Sequence, residues 1–520
     1  MDSFMNTKMF CRYIIAAVMS VLAVSVTAQD ADSVYPLHYE ASATLGAGDG
    51  TFAPYYITAM RHGRFSQKYN AQAEGKVWRP MPLDRRFSYG FGVDLIAGYA
   101  SANDYERFNA ETQSWYTHSE RPSSAWIQQL YGEVKYRGVF LTLGLKEHGS
   151  ALLNQRLSSG DLVESGNARP IPEARAGFVD FQDIPFTRGW VQIQGEISFG
   201  KMTDSDWWAD RFNYYDYHVT SGQWYNYKRC YFRTNPSKPL SVTVGMQAAA
   251  TFAGTTRLYY RGELQREDRR KLKLKDFFNM WIPHEDGGED FYSGNHLGSW
   301  DFNARYLFKN GTVVKAYFSW PWEDGSSIGR RNGWDGIWGL EYAAPERGYV
   351  SGAVIEYLDF TNQCGPIHYA PGDHPGTSLT SEATGGDDYY NNATYNSYAN
   401  YGLSIGTPAL LAPLYQLNGF LVYRANAMRG FHVGIEGTLS PVLDYRVKGG
   451  YRKAWGSGYR LLPAPVHLTS LMAEATLRIP EVRGLSVNCM VEVDRGNMPC
   501  NAFGAMVTVR YDGIFNINKK

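Results

Sequence analysis

Apolar and polar residues alternate along this chain in one stretch after another. In Phe87-Ser88-Tyr89-Gly90-Phe91-Gly92-Val93-Asp94-Leu95 every odd position is aromatic or aliphatic, and every even one is Ser, Gly or Asp. Successive side chains of a strand point to opposite faces, so this period of two predicts a two-faced β-strand. The pattern recurs through 126–136, where Trp126, Leu130, Val134 and Tyr136 fall on one face and Gln129, Glu133 and Lys135 on the other. It recurs again with Trp300, Phe302, Ala304, Tyr306 and Phe308 against Asp301, Asn303 and Arg305, and with Phe503, Ala505, Val507, Val509 and Tyr511 against Thr508, Arg510 and Asp512.

Alternation alone fits a soluble sandwich as well as a membrane barrel. Three features favour lipid on the apolar face. Strand-like texture runs from about Tyr39 to the C-terminus of a 520-residue chain with no linker, where a soluble chain of that length divides into domains. Aromatics make up 15%, with 38 Tyr and 14 Trp, and gather at strand ends as interfacial girdles do. After the N-terminus no apolar run is long enough for a membrane-spanning helix.

The N-terminus sets the compartment. Lys8 and Arg12 precede an apolar run from Tyr13 to Val26, and Val26-Thr27-Ala28 offers a small-x-small cleavage pattern before Gln29. Residues 1–28 therefore read as a signal peptide and 29–520 as one barrel domain, with 29–85 open between barrel and periplasmic segment. The formal net charge is zero, which gives no argument for nucleic acid. Cys230, Cys364, Cys489 and Cys500 remain beyond the leader, without metal-ligand spacing, so no metal or cofactor is expected. Cys489 and Cys500 are left open between a disulfide and free thiols.

Turn chemistry and long segments then divide the chain. Arg137-Gly138, Lys309-Asn310-Gly311, 235–239 and 346–348 read as tight hairpin turns, assigned to the periplasm. Between them lie long segments, roughly 101–124, 147–172, 201–223, 253–296, 321–335 and 362–398, which would face outward. The predicted fold is all-β: a transmembrane antiparallel β-barrel of about 18 strands, within a range of about 16 to 20. The stretch 266–278 is basic and open between a solvated loop or helix and a contact with acidic glycan or anionic lipopolysaccharide.

Several segments carry candidate chemistry. In 165–172 two prolines break strand geometry, leaving Asn167 and Arg169 to offer donors to sugar hydroxyls or a uronic carboxylate, or Arg169 to pair with a lumen carboxylate such as Glu133. The tract 207–217 mixes Trp207, Trp208, Tyr214 and Tyr215 with Asp, Asn and Arg. Rings take the C–H faces of sugars while carboxylates and amides take the hydroxyls, although girdle or loop packing accounts for the same rings. Asp387, Asp388, Tyr389 and Tyr390 read similarly, with Ca²⁺ capture by the two carboxylates and nearby amides a further, weaker reading because no full EF-hand loop is present. His148 and Ser150 are the sharpest catalytic pair, as in an outer-membrane phospholipase, but no third orienting residue is evident, and GxSxG, P-loop and HExxH motifs are missing.

Ser158-Ser159-Gly160-Asp161-Leu162 followed by 165–172, Gly294-Asn295-His296-Leu297-Gly298-Ser299-Trp300-Asp301, Trp334-Asp335-Gly336-Ile337-Trp338-Gly339 and 387–392 resemble, in this order, segments of the capsule assembly protein Wzi family in its Bacteroides-type form. Asp388 stands where Asn is commoner in the family, and Ile517-Asn518-Lys519-Lys520 lacks the terminal aromatic of many barrels. The resemblance implies an 18-stranded outer-membrane barrel that acts as a lectin without catalysis and assists capsule attachment. The expected partners are surface polysaccharide and outer-membrane lipid or lipopolysaccharide, with the chain a monomer. A passive solute channel, and then a hydrolase using His148 and Ser150, are the alternatives.

Overall fold

The computed structural model describes residues 36–281, 294–323, 332–365, 388–458 and 460–515, with the backbone of 368–369 and 383–384. The leader assigned to 1–28, and Asp387, lie outside the described residues.

Eighteen strand positions form one closed antiparallel sheet. They begin with β1 (Leu37–Gly48), β2 (Asn70–Arg79), β3 (Phe87–Ala100), β4 (Ala125–Tyr136), β5 (Val139–Leu145) and β6 (Glu173–Phe178, continued by Gln182–Asp183). Next come β7 (Val191–Lys201), β8 (Trp224–Thr234), β9 (Leu240–Phe252), β10 (Asn295–Leu307), β11 (Val313–Trp322) and β12 (Gly336–Ala343). The last are β13 (Gly352–Asp359), β14 (Ala427–Ser440), β15 (Leu443–Gly456), β16 (Leu461–Arg478), β17 (Leu485–Gly496) and β18 (Ala502–Phe515). Each pairs with its sequence neighbours, and β1 closes the barrel on β18 from Leu37↔Phe515 to Gly48↔Gly504. Closure leaves no unpaired strand edge, which a lipid environment requires.

The four expected tight turns all lie at the end that carries Leu37 and Phe515, and the long segments all lie at the other. Two long connections escaped the sequence reading: 49–69 between β1 and β2, and the extension of the last long loop to 426. The segment 266–278 divides into a strand (Glu263–Arg270) and a short helix (Leu274–Trp281). Cys489 and Cys500 are free thiols.

The apolar face points outward, and side chains such as Leu45, Phe87, Leu95, Ile355, Phe431, Leu471 and Val507 stand exposed around the belt, as an outer-membrane barrel presents them to lipid. Alternation is interrupted by a bulge at a place that matters for the site. Asp94 pairs with Gln129 but Leu95 with Ile127, so Gln128 is an extra residue in β4. This β-bulge reverses the faces beyond it. Trp126, expected beside Leu130 and Val134 on the outward face, instead turns into the lumen.

The lumen is filled by the loops. Loops 49–69, 146–172 and 388–426 fold inward and meet in a hydrophobic core that includes Leu162, Val163, Trp208, Phe212, Tyr390, Tyr398, Leu410 and Tyr423. Wall carboxylates hold this plug by its backbone. Glu492 accepts the amides of Tyr56 and Ile57, each at 2.7 Å, at the start of the short helix Tyr55–Thr58. Asp494 accepts the amide of Tyr55 at 2.9 Å, and Glu356 that of Ser159 at 2.7 Å. Tyr390 and Tyr398 clamp the last long loop onto 146–172 by donating to the carbonyls of Leu162 and Val163, at 2.5 and 2.8 Å. Arg64 fastens loop 49–69 sideways, bonding Glu74 at 2.8 Å, Asp94 at 3.1 Å and Glu147 at 2.5 Å.

Candidate functional site

Loops 49–69 and 146–172 run side by side where His62 N donates to Gly166 O at 2.9 Å and Gly63 N to Asn167 O at 2.8 Å. Gly63 takes a positive φ of 70°, and a Cβ there would fall 2.6 Å from Arg169 Cγ. Glycine is thus required by both conformation and contact. Asn167 ties the knot: its Oδ1 accepts the amide of Met60 at 3.1 Å, and its Nδ2 donates to Ser404 O at 2.9 Å. Asn400 Nδ2 donates to Arg169 O at 2.9 Å and fixes the backbone of Arg169.

The Arg169 side chain leaves this knot between two rings. Its guanidinium carbon lies 4.1 Å from the ring centroid of Trp126 and 4.6 Å from that of Tyr401, a cation–π sandwich. No carboxylate among the described residues pairs with it; Glu133, the carboxylate considered from sequence, takes Lys146 at 2.5 Å. Burial, against the raising effect of Tyr401 and with the charge of Arg211, lowers the Arg169 pKa to about 10, so the side chain is charged at neutral pH.

Around it opens a cleft of about 220 Å³ toward the loop end, lined by Gln67, Gln72, Glu120, Asp206, Trp207 and Asp210 among others. The helix Ser205–Arg211 delivers Trp207, Asp206 and Asp210 together, since residues three and four apart share a helix side. Trp207 is braced by Trp208 at 5.2 Å and by Arg211 at 5.0 Å. Flat rings, a cation without a carboxylate, amides and acceptor carboxylates around one opening match what a sugar presents: apolar C–H faces and a rim of hydroxyls. The volume lies below that of pockets for drug-sized ligands, which suits a single unit of a longer chain.

The residues singled out from sequence separate. Arg169 and Trp207 line the cleft, with Asn167 buried directly beneath. Trp208 is core, its indole donating to Asp204 at 2.8 Å. Tyr389 and Tyr390 are buried in the plug, where Tyr389 OH donates to Gln363 O at 2.6 Å. Asp388 accepts from Asn391 at 2.7 Å, and its carboxyl is raised by burial. Tyr214 packs on Phe212 and Tyr259, while Tyr215 packs on Phe108 and Trp115, in aromatic clusters apart from the cleft. His148 Nε2 faces Glu173 Oε1 at 3.2 Å, Ser150 N donates to Gln155, and no hydrogen bond joins His148 to Ser150. Trp126 and Tyr401 escaped sequence reasoning. The first was hidden by the bulge, and the second stands in an irregular stretch with no period.

A closed antiparallel barrel with an apolar exterior and a loop-filled lumen defines the class: an outer-membrane-type β-barrel. No family model matches this chain, and no curated protein matches its sequence. Among solved structures it is similar to Wzi of Escherichia coli, described as an outer-membrane protein involved in group 1 capsule assembly and a carbohydrate-binding β-barrel. That match has a TM-score of 0.53 and 12% identity, over 91% of this chain and 83% of that one. It also matches OccAB2 of Acinetobacter baumannii, at 8% identity over 93% and 100% of the two chains, with a TM-score of 0.45. OpdO of Pseudomonas aeruginosa matches at 11% identity over 93% and 98%, with a TM-score of 0.44. At these identities the likeness to Wzi is one of fold.

Proposed function

We propose that this protein is a non-enzymatic lectin of the Gram-negative outer membrane, exported by its leader, which binds surface or capsular polysaccharide at the Arg169 cleft and helps retain it. The observation that carries the reading is the Arg169 guanidinium, charged, beside the rings of Trp126 and Tyr401 and without a carboxylate partner among the described residues, at the mouth of a cleft with Trp207 on its wall. The filled lumen supports a binding role over conduction. The Wzi barrel, which binds carbohydrate by its own description, adds a parallel of fold.

The test is a binding screen of the purified barrel against the polysaccharides of its own host cell. Binding that weakens on Trp207→Ala supports the reading, and a barrel that binds none of them ends it. A large, steady open state in planar bilayers would replace it with the channel reading. Cells lacking the protein are expected to make their polysaccharide but shed it, and unchanged retention would count against the role.

A further inference from the structure

Loop 253–294 sends a helix, α (Leu274–Trp281), back down the outside of the barrel wall. Its start is set by Asp276, whose side chain accepts the amide of Lys273 at 2.7 Å, an N-terminal capping contact. One side of the helix packs on outward-facing strand residues: Phe277 lies 5.1 Å from Phe199, 5.5 Å from Trp224 and 5.9 Å from Phe252. Met280 is buried with Ala250 and Phe252. These wall residues share the outward face with Lys228, which pairs across the ladder with Ile197 and Ala248. An ammonium on the lipid-facing wall is unfavourable, and the helix relieves it. Lys228 Nζ donates to the carbonyl of Met280 at 2.6 Å and to Asn226 Oδ1 at 2.9 Å.

The other side of the helix is apolar and exposed. Leu274, Phe278 and Trp281 are 81%, 68% and 58% exposed, and their spacing of four and then three places them on one stripe. This stripe continues the lipid-facing surface of β7 to β9 outward from the wall. Exposed Lys271, Lys273 and Lys275 flank it. An apolar stripe bordered by lysines is the pattern of a helix lying in a membrane interface, with rings in the acyl boundary and ammonium groups among anionic headgroups.

The geometry points to an outer-leaflet docking element: the helix 274–281 inserts Leu274, Phe278 and Trp281 among acyl chains while Lys271, Lys273 and Lys275 engage the phosphates of an anionic lipid. This is independent of the glycan cleft. The first test places a fluorophore at Phe278→Cys in the full barrel with Cys230, Cys489 and Cys500 changed to Ser, reconstituted in vesicles of phosphatidylcholine with brominated acyl chains. Emission is expected to fall to about half or less, while the same label at Glu111→Cys, on an exposed hairpin tip, is unaffected. Equal emission loss, or none, at both sites overturns insertion. The second test measures lipid A retained by the detergent-purified barrel. Lys271→Gln, Lys273→Gln and Lys275→Gln together are expected to lower retention about tenfold or more, with heat-modifiable gel mobility reporting that the barrel is folded. Undiminished retention by the folded variant overturns the phosphate contact.

Discussion

The guanidinium of Arg169 lies 4.1 Å from the ring of Trp126, a contact made because an extra residue, Gln128, turns that ring into the lumen. A residue from the plug and a residue from the wall thus complete one surface. Tyr401 adds a second ring, its centroid 4.6 Å from the same guanidinium carbon.

Replacing Arg169 with Ala is expected to weaken polysaccharide binding by about 2 kcal/mol, roughly thirtyfold. Arg169→Lys keeps the charge but loses the planar stack, so it should fall between the two. Titration calorimetry with the cognate polysaccharide reads both. Equal affinities for wild type and Arg169→Ala would remove the cleft from the binding site.

Gly63→Ala touches no ligand yet should reach the same site. The new methyl would meet Arg169 Cγ at 2.6 Å in a backbone of positive φ, so Arg169 must shift or the loop must strain, at about 1 to 3 kcal/mol. The measurement is affinity beside thermal stability. Affinity is expected to fall while the barrel keeps its heat-modifiable mobility.

Glu492→Ala removes the acceptor of two amide bonds of 2.7 Å and should release the Tyr55–Thr58 turn. A buried amide left without its acceptor costs about 1 to 3 kcal/mol, so with two such amides a local loss of about 3 kcal/mol is expected. Hydrogen exchange at the amides of Tyr56 and Ile57 should rise on the order of a hundredfold, while amides of β9 keep their protection.

Loop 146–172 should loosen as pH rises. Gln247 Nε2 bridges Asp161 at 2.6 Å and Asp301 at 3.2 Å. Burial, and then the charge of Asp301, pushes the Asp161 carboxyl up to about 7 against the bonds it accepts from Val163 and Gln247. A folded-state pKa above the unfolded value gives stability that is complete below the ordinary carboxylate range and is lost as pH rises through about 7. Protection factors at residues 158–163, in which the base-catalysed rise of intrinsic exchange is divided out, are therefore expected to fall between about pH 4 and pH 7 and to level off above it in the wild type, and Asp161→Asn should flatten that dependence. A flat wild-type profile would refute the coupling.

Much of the barrel was legible because lipid outside and polar contacts inside impose a strict period of two, and because Asn310-Gly311 and Arg137-Gly138 announce their own turns. The plug was harder to read. Its contacts run from side chain to backbone between positions hundreds of residues apart, as in Asn167 to Ser404, and leave no local period. Arg169 and Trp207, which line the cleft, stand out in the sequence by residue type alone. Trp126 was assigned to the wrong face because a bulge adds one residue without any sign in composition. Tyr389 and Tyr390 looked like binding rings but are buried, since rings suited to sugars are equally suited to a core.

The wall grips its plug largely by main-chain amides: those of Tyr55, Tyr56, Ile57 and Ser159 rest on Asp494, Glu492 and Glu356. Every residue but proline carries the same amide N–H. Substitutions in the plug can therefore accumulate between lineages without loosening its seat, provided the wall carboxylates are inherited unchanged. Such a barrel can diversify its loops while keeping one socket, as a common mount accepts different lenses.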